Sequence, residues 1–127
     1  MNDGEQRDRA VLITGGGHGI GQGIAAAFAA AGARVVVADR DLQRAADVAA
    51  GIRDKFGAAA VPLAVDVRDA AAVEAMANEA AAAIGPIDVL VNNAGIYPNT
   101  PVVEMDEAEW DAVFDTNVKG VFLVSRA

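Results

Sequence analysis

The 127-residue chain has the size of one domain, and its 54% hydrophobic content is enough to build one buried core. No apolar run approaches the about 18 residues that a bilayer span needs, and the N-terminus MNDGEQRDR is charged, so neither a membrane anchor nor a signal peptide is expected. With no cysteine, one histidine and a net charge of -8 over scattered basic residues, the composition argues against disulfides, metal sites and nucleic-acid partners, and is compatible with a cytoplasmic setting.

Residues 1–9 are expected to be a disordered tail on a single domain spanning 1–127. Short apolar runs that do not alternate follow at Ala10 to Thr14, Arg34 to Ala38, Val61 to Val65 and Asp88 to Asn92, as suits parallel strands buried on both faces. Between them, apolar residues recur at helical spacing: Ile20, Ile24 and Phe28; Leu42, Ala45, Ala49, Ile52 and Phe56; Val73, Met76, Ala80 and Ile84. Gly32, Gly57 and Gly85 close these stripes, and Asp41 and Asp69 stand where the second and third helices begin. A last helical segment runs from Glu107 to Ala127. Alternating strand and helix with right-handed crossovers predicts an α/β fold, a Rossmann-type doubly wound parallel sheet of about four strands in the order 3-2-1-4. Its ligand crevice lies where the strand order reverses.

The loop after the first strand, Thr14-Gly15-Gly16-Gly17-His18-Gly19-Ile20-Gly21, has the spacing G-x-x-x-G-x-G; Ile20, Gln22, Ile24 and Ala26 block every G-x-G-x-x-G window. A backbone without β-carbons approaches a pyrophosphate closely, and the helix starting near Gly19 offers it free amides and a positive dipole end. Ile20 is expected to anchor the helix start from beneath. His18 can face the phosphates, although a lone loop histidine is commonly just solvated. Asp39 ends the second strand twenty residues beyond Gly19, where a carboxylate accepts from ribose hydroxyls and repels a 2′-phosphate; this favours NAD over NADP. Arg40, next to it, can pair with a 2′-phosphate. Asp66 and Val67 follow the third strand, suited to an adenine amino group and ring face, and Asn92-Asn93-Ala94-Gly95 follow the fourth. Capping and turn roles are the alternatives for these residues.

Together TGGGHGIG, Asp39, Asp66-Val67, NNAG and Asn117 in DTNVKGVF resemble the short-chain dehydrogenase/reductase family, from about Ala10 to Ala127. The resemblance implies pyrophosphate binding by Gly15 through Gly21, NAD selection by Asp39, adenine contact by Asp66-Val67, and riboses near Asn93, Ala94 and Gly95. It implies that Thr14 and Asn92 bridge the first and fourth strands, and that Asn117 holds a water in a proton relay. It also implies hydride transfer between a nicotinamide and an alcohol or carbonyl carbon, with a tyrosine, a lysine and a serine as apparatus.

That apparatus departs from the family pattern here. Tyr97 is the only tyrosine and Pro101 stands four residues on, so there is no Y-x-x-x-K; the lysines are Lys55 and Lys119, and the sole serine is Ser125 in a helical segment. Tyr97 reads instead as a loop aromatic at the cofactor mouth. The expectation is therefore the cofactor-binding N-terminal fragment of an NAD-dependent oxidoreductase, inactive alone, with a non-catalytic dinucleotide-binding or scaffold module as the alternative. An S-adenosylmethionine site on the same fold is a minor one. Trp110, Val113, Phe114, Val118, Val121, Phe122 and Val124 form a broad apolar surface, and the fourth strand is left as an edge, so oligomers or poor solubility are expected.

Overall fold

The computed structural model describes residues 4–127. Runs rich in valine and isoleucine become strands because helices cover both of their faces. They form β1 (Ala10–Thr14), β2 (Arg34–Asp39), β3 (Ala60–Ala64) and β4 (Val89–Val91), all parallel, in the order β3-β2-β1-β4. Val11 is level with Val35 and with Val89, which brings the C-terminal ends of β1 and β4 together at the point where strand order reverses. Boundaries move slightly from expectation. β2 runs on to include Asp39, β3 begins one residue early, and β4 keeps only the three residues that pair with β1. Pro62 has no amide to donate and sits in β3, an edge strand where the outer side needs no donor.

Side chains alternate between the two faces of the sheet. Val11, Ile13, Val35 and Val37 join Ala25, Ala29, Ala45, Ala49 and Ile52 of α1 (Gly19–Ala30) and α2 (Leu42–Phe56) in one core. Leu12, Val36 and Ala38 join Val73, Met76, Ala80 and Ile84 of α3 (Ala70–Ile84) in the other, together with Leu123 and Val124. The alanine-rich faces of α1 and α3 let these helices lie close to the sheet. Gly57 caps α2 in the left-handed region, at φ 64°, where a β-carbon would be strained.

Two expectations change. The last helical segment runs unbroken over 107–126 as expected, but with a π-turn inside it: α4 (Glu107–Phe114), the π-turn Asp115–Lys119 and α5 (Gly120–Arg126) follow one another directly. Val124 consequently turns inward onto the second core, while Trp110, Phe114, Val118, Val121 and Phe122 stay exposed. Residues 4–9, expected within a disordered tail, are a run of turns held to the α1–β2 connection, with the Gln6 amide donating to the Ala31 carbonyl (2.9 Å) and Arg34 donating to the Asp8 carbonyl (2.9 Å). Residues 1–3 of that expected tail lie outside the described residues. Among the described residues no helix is long and apolar enough to cross a membrane.

Candidate functional site

The glycine loop connects the end of β1 to the start of α1, and its glycines are there for space. A β-carbon on Gly21 would land on the Gly15 carbonyl and the Asn93 amide, and one on Gly15 would come within 2.9 Å of the Ala94 backbone. One on Gly17 would meet the Asp39 carboxylate at 2.8 Å. Gly19 differs: a β-carbon there would meet nothing within 4 Å, but its φ of 54° strains any other residue at the head of the helix. The loop therefore packs tightly inward and stays open outward. α2, α3 and α4 each begin with an aspartate, Asp41, Asp69 or Asp106, whose side chain accepts a first-turn amide. α1 begins with His18, which makes no such bond, and no acid stands in its first turn. Its leading amides face the cleft without a side-chain acceptor.

Asp39 is buried at the end of β2, 6% exposed, and its two oxygens have separate duties. Oδ2 accepts from the Gly17 amide at 3.0 Å and Oδ1 from the Asp41 amide at 3.0 Å, so the carboxylate is tied to the glycine loop and to the start of α2. The His18 imidazole lies 3.5 Å from Oδ2, largely exposed. Arg40 and Arg44 join them around a cavity of about 310 Å³, whose far wall is Val65, Val67, Ala94, Gly95, Ile96 and Thr116. A second cavity of about 200 Å³ shares Gly15, His18, Ala94 and Gly95 with the first and continues to Gly19, Ile20, Asn93 and Tyr97. The two make one cleft across the C-terminal ends of the strands. A larger hollow of about 430 Å³ lies between α1 and α2, on the other side of Gly17 and sharing Arg44 with the cleft.

Most of the residues singled out in the sequence meet in this cleft. Asp66 stands slightly aside: both its oxygens hold the Arg68 guanidinium, at 2.7 Å for the shortest contact, and Oδ1 also accepts the Arg68 amide. That hydrogen-bonded cation holds its carboxyl down at about 2, against an opposing effect of burial. Val67 lines the cavity wall. Ile20 does not anchor the helix from beneath; it is 78% exposed and lines the cleft opposite Tyr97, because the helix starts at Gly19 and turns position 20 outward. Tyr97 is 89% exposed at the mouth, as expected of a loop aromatic.

The bridge between β1 and β4 is built from Thr14 and Asn93. The Thr14 hydroxyl accepts the amides of Asn93 and Ala94, each at 3.1 Å, and the Asn93 side chain donates to the Gly15 carbonyl at 3.1 Å. Asn92, expected as the bridging amide, instead donates to the Ser125 hydroxyl of α5 at 3.1 Å; successive residues point to opposite sides beyond the strand, and only Asn93 faces the loop. Asn117 spends both ends of its side chain on one residue, donating to the Ile96 carbonyl at 2.7 Å and accepting the Ile96 amide at 2.8 Å. It therefore fastens the loop after β4 against the π-turn.

Val65, Arg44 and Thr116 line the cleft without having been singled out. Arg44 lies three residues beyond the Asp41 cap, a place within reach of the sequence once Asp41 is read as the start of the helix. Thr116 sits in the π-turn, and nothing in DTNVK marks such a turn beforehand.

Comparison with known proteins agrees with this geometry. Residues 9–127 match the family described as short chain dehydrogenase. The chain is 42% identical to galactitol 2-dehydrogenase of Agrobacterium fabrum (strain C58 / ATCC 33970) over 120 residues, and 40% identical to D-threitol dehydrogenase of Mycolicibacterium smegmatis over 119, covering 94% of this chain and 45% of the relative in both cases. It superposes on the crystal structure of 3-ketoacyl-(acyl-carrier-protein) reductase from Brucella melitensis complexed with NADH with a TM-score of 0.89 at 39% identity, covering 96% of this chain and 49% of that one. The chain thus spans about half the length of the relatives it matches. With the family match running through the glycine loop, all four strands and the π-turn, this chain belongs to the short-chain dehydrogenase family.

Proposed function

We propose that this chain is the cofactor-binding part of an NAD(H)-dependent oxidoreductase acting on an alcohol or carbonyl carbon. The observation that carries the reading is the uncapped start of α1 beside a buried, preset Asp39 carboxylate: free amides for an anion and, next to them, an acceptor for hydroxyls. A pyrophosphate fits the outward-open side of Gly15 through Gly21, where no side chain intrudes at Gly19. Asp39 would receive the adenosine ribose hydroxyls. Val67, with Asp66 behind it, would border adenine, and Asn93, Ala94 and Gly95 would pass along the riboses. When bound, the nicotinamide supplies the hydride. The chain's own residues bind and orient it and exclude water along the cleft wall. Asn117 is a positioning residue in this proposal, since its amide is committed to Ile96; a proton relay through that side chain is not part of it.

NAD is preferred to NADP because a 2′-phosphate would stand against the Asp39 carboxylate, with Arg40 and His18 offsetting only part of that repulsion from exposed positions. The dehydrogenase and reductase names of the relatives support an alcohol or carbonyl substrate.

Isothermal titration with NAD and NADP, on this chain and on Asp39→Ala and Asp39→Asn, tests the proposal. NAD should bind more tightly than NADP, and both variants should lose at least about tenfold in NAD affinity, the loss expected for hydrogen bonds to a charged group. A folded sample that binds neither dinucleotide would sink the proposal.

A further inference from the structure

His18 is the only histidine of the chain, and it borders both cavities of the cleft. Its Nδ1 lies 3.5 Å from Asp39 Oδ2, with the imidazole side chain 63% exposed and the carboxylate side chain 7%. An imidazole is the group whose charge ordinarily changes between about pH 5 and 8, and a buried carboxylate beside it feels that change more than a solvated one does. His18 makes no cap bond, so the helix start does not compete for its ring.

The charged neighbours leave this pair free to respond. From the end of β2 and the start of α2, Arg40, Asp41 and Arg44 line the same cavity; Asp41 and Arg44 stand 3.7 Å apart and offset each other, and Arg40 adds one cation. Arginines and carboxylates ordinarily keep their charge between about pH 5 and 8. The loop after β4 brings the Tyr97 phenol, α1 has no ionisable side chain, and the π-turn presents only the uncharged Thr116 to the cavity.

We propose that His18 makes the choice between NAD and NADP depend on pH, an inference that rests on the dinucleotide reading above. Beside a neutral imidazole, Asp39 keeps its full charge, receives the ribose hydroxyls and repels a 2′-phosphate. Beside an imidazolium the pair is formally neutral: a 2′-phosphate meets less repulsion and gains a donor, while ribose hydroxyls meet a carboxylate already serving a cation. Attraction of the imidazolium to the pyrophosphate is common to both dinucleotides and cancels in their ratio. Acid therefore moves the chain toward NADP.

The test titrates the untagged parent chain, His18→Gln and His18→Arg with NAD and with NADP at about pH 8 and about pH 5.5. A phosphate monoester itself takes up a proton near pH 6, so His18→Gln supplies the baseline. On acidification the ratio of the NADP to the NAD dissociation constant should fall about three- to fivefold further in the parent than in His18→Gln, and His18→Arg should show the low ratio already at about pH 8. Linkage requires the converse: the chain's single imidazole proton resonance should titrate at higher pH with NADP bound than with NAD bound. Coincident parent and His18→Gln profiles overturn the proposal, as does a resonance that titrates alike with either dinucleotide, or a His18→Arg ratio equal to that of His18→Gln. If the parent chain binds neither dinucleotide, the dinucleotide reading itself falls and takes this proposal with it, whereas binding with coincident profiles removes this proposal alone.

Discussion

At the scale of single residues, the cleft is organised by side chains that bind backbone. Asp39 holds the Gly17 amide, Thr14 the amides after β4, and Asn117 the backbone of Ile96. Asp39 was legible as the acid that ends the second strand, but the Gly17 amide that it holds was not. The division of labour between Asn92 and Asn93 was not: two adjacent amides carry the same chemistry, and only their orientation beyond β4 separates a loop bond from a contact with Ser125. Ile20 misled for a related reason, since an apolar residue in a loop motif suggests burial, whereas here it borders an open cleft. Asp66 yields a pH prediction. Its folded-state carboxyl lies below the ordinary 3.8, at about 2, chiefly through the side-chain hydrogen bond from Arg68. The pair therefore contributes fully above pH 3.8 and loses that contribution as pH falls through about 2. Both side chains are about one-third exposed, so solvent screening keeps the contribution to about 1 kcal/mol or less. Urea denaturation of Asp66→Asn should show a small deficit near neutral pH that narrows below pH 3.8; a deficit that stays constant down to pH 2 would contradict this origin.

At the scale of elements, the contrast between capped and uncapped helices separates support from function. Asp41 and Asp69 were readable as caps from their place before apolar stripes, and each accepts the amide three residues on, at 3.1 Å. Asp69→Ala should lower unfolding stability by about 1 kcal/mol. His18→Ala should stay within about 0.5 kcal/mol of the parent, because His18 makes no cap bond and its contact with Asp39 is exposed. Equal losses in chemical denaturation would mean that α1 is capped after all. The strands were legible to within a residue or so, since β-branched runs leave little choice. The π-turn was not, because its cause is tertiary: it brings Asn117 to Ile96 and Gly120 to Val67, contacts from distant parts of the chain.

At the scale of the molecule, strand order followed from the alternation of strand and helix, which left few topologies open. The apolar stripe on α4 and α5 was also foreseen in outline, although Val124 left it for the core. What remains outward is substantial: Trp110 stacks on Phe114 at 4.7 Å, Val118 and Phe122 are more than half exposed, and β4 is an unpaired edge. Sedimentation velocity should show association that grows with concentration, and Phe122→Glu should weaken it; a monomer at all concentrations would mean that the stripe is tolerated bare. The two cores, finally, differ in when they can form. Apart from Val89 and Val91 packed at its margin, the core beneath α1 and α2 is drawn from Val11 to Ala60, while the one beneath α3 joins Ala10 to Val124. A growing chain can close the first as soon as Ala60 has emerged, with short loops throughout, and can close the second only once Val124 has followed. The glycine loop and Asp39 belong to the early half, and the wall that carries Thr116 to the late one.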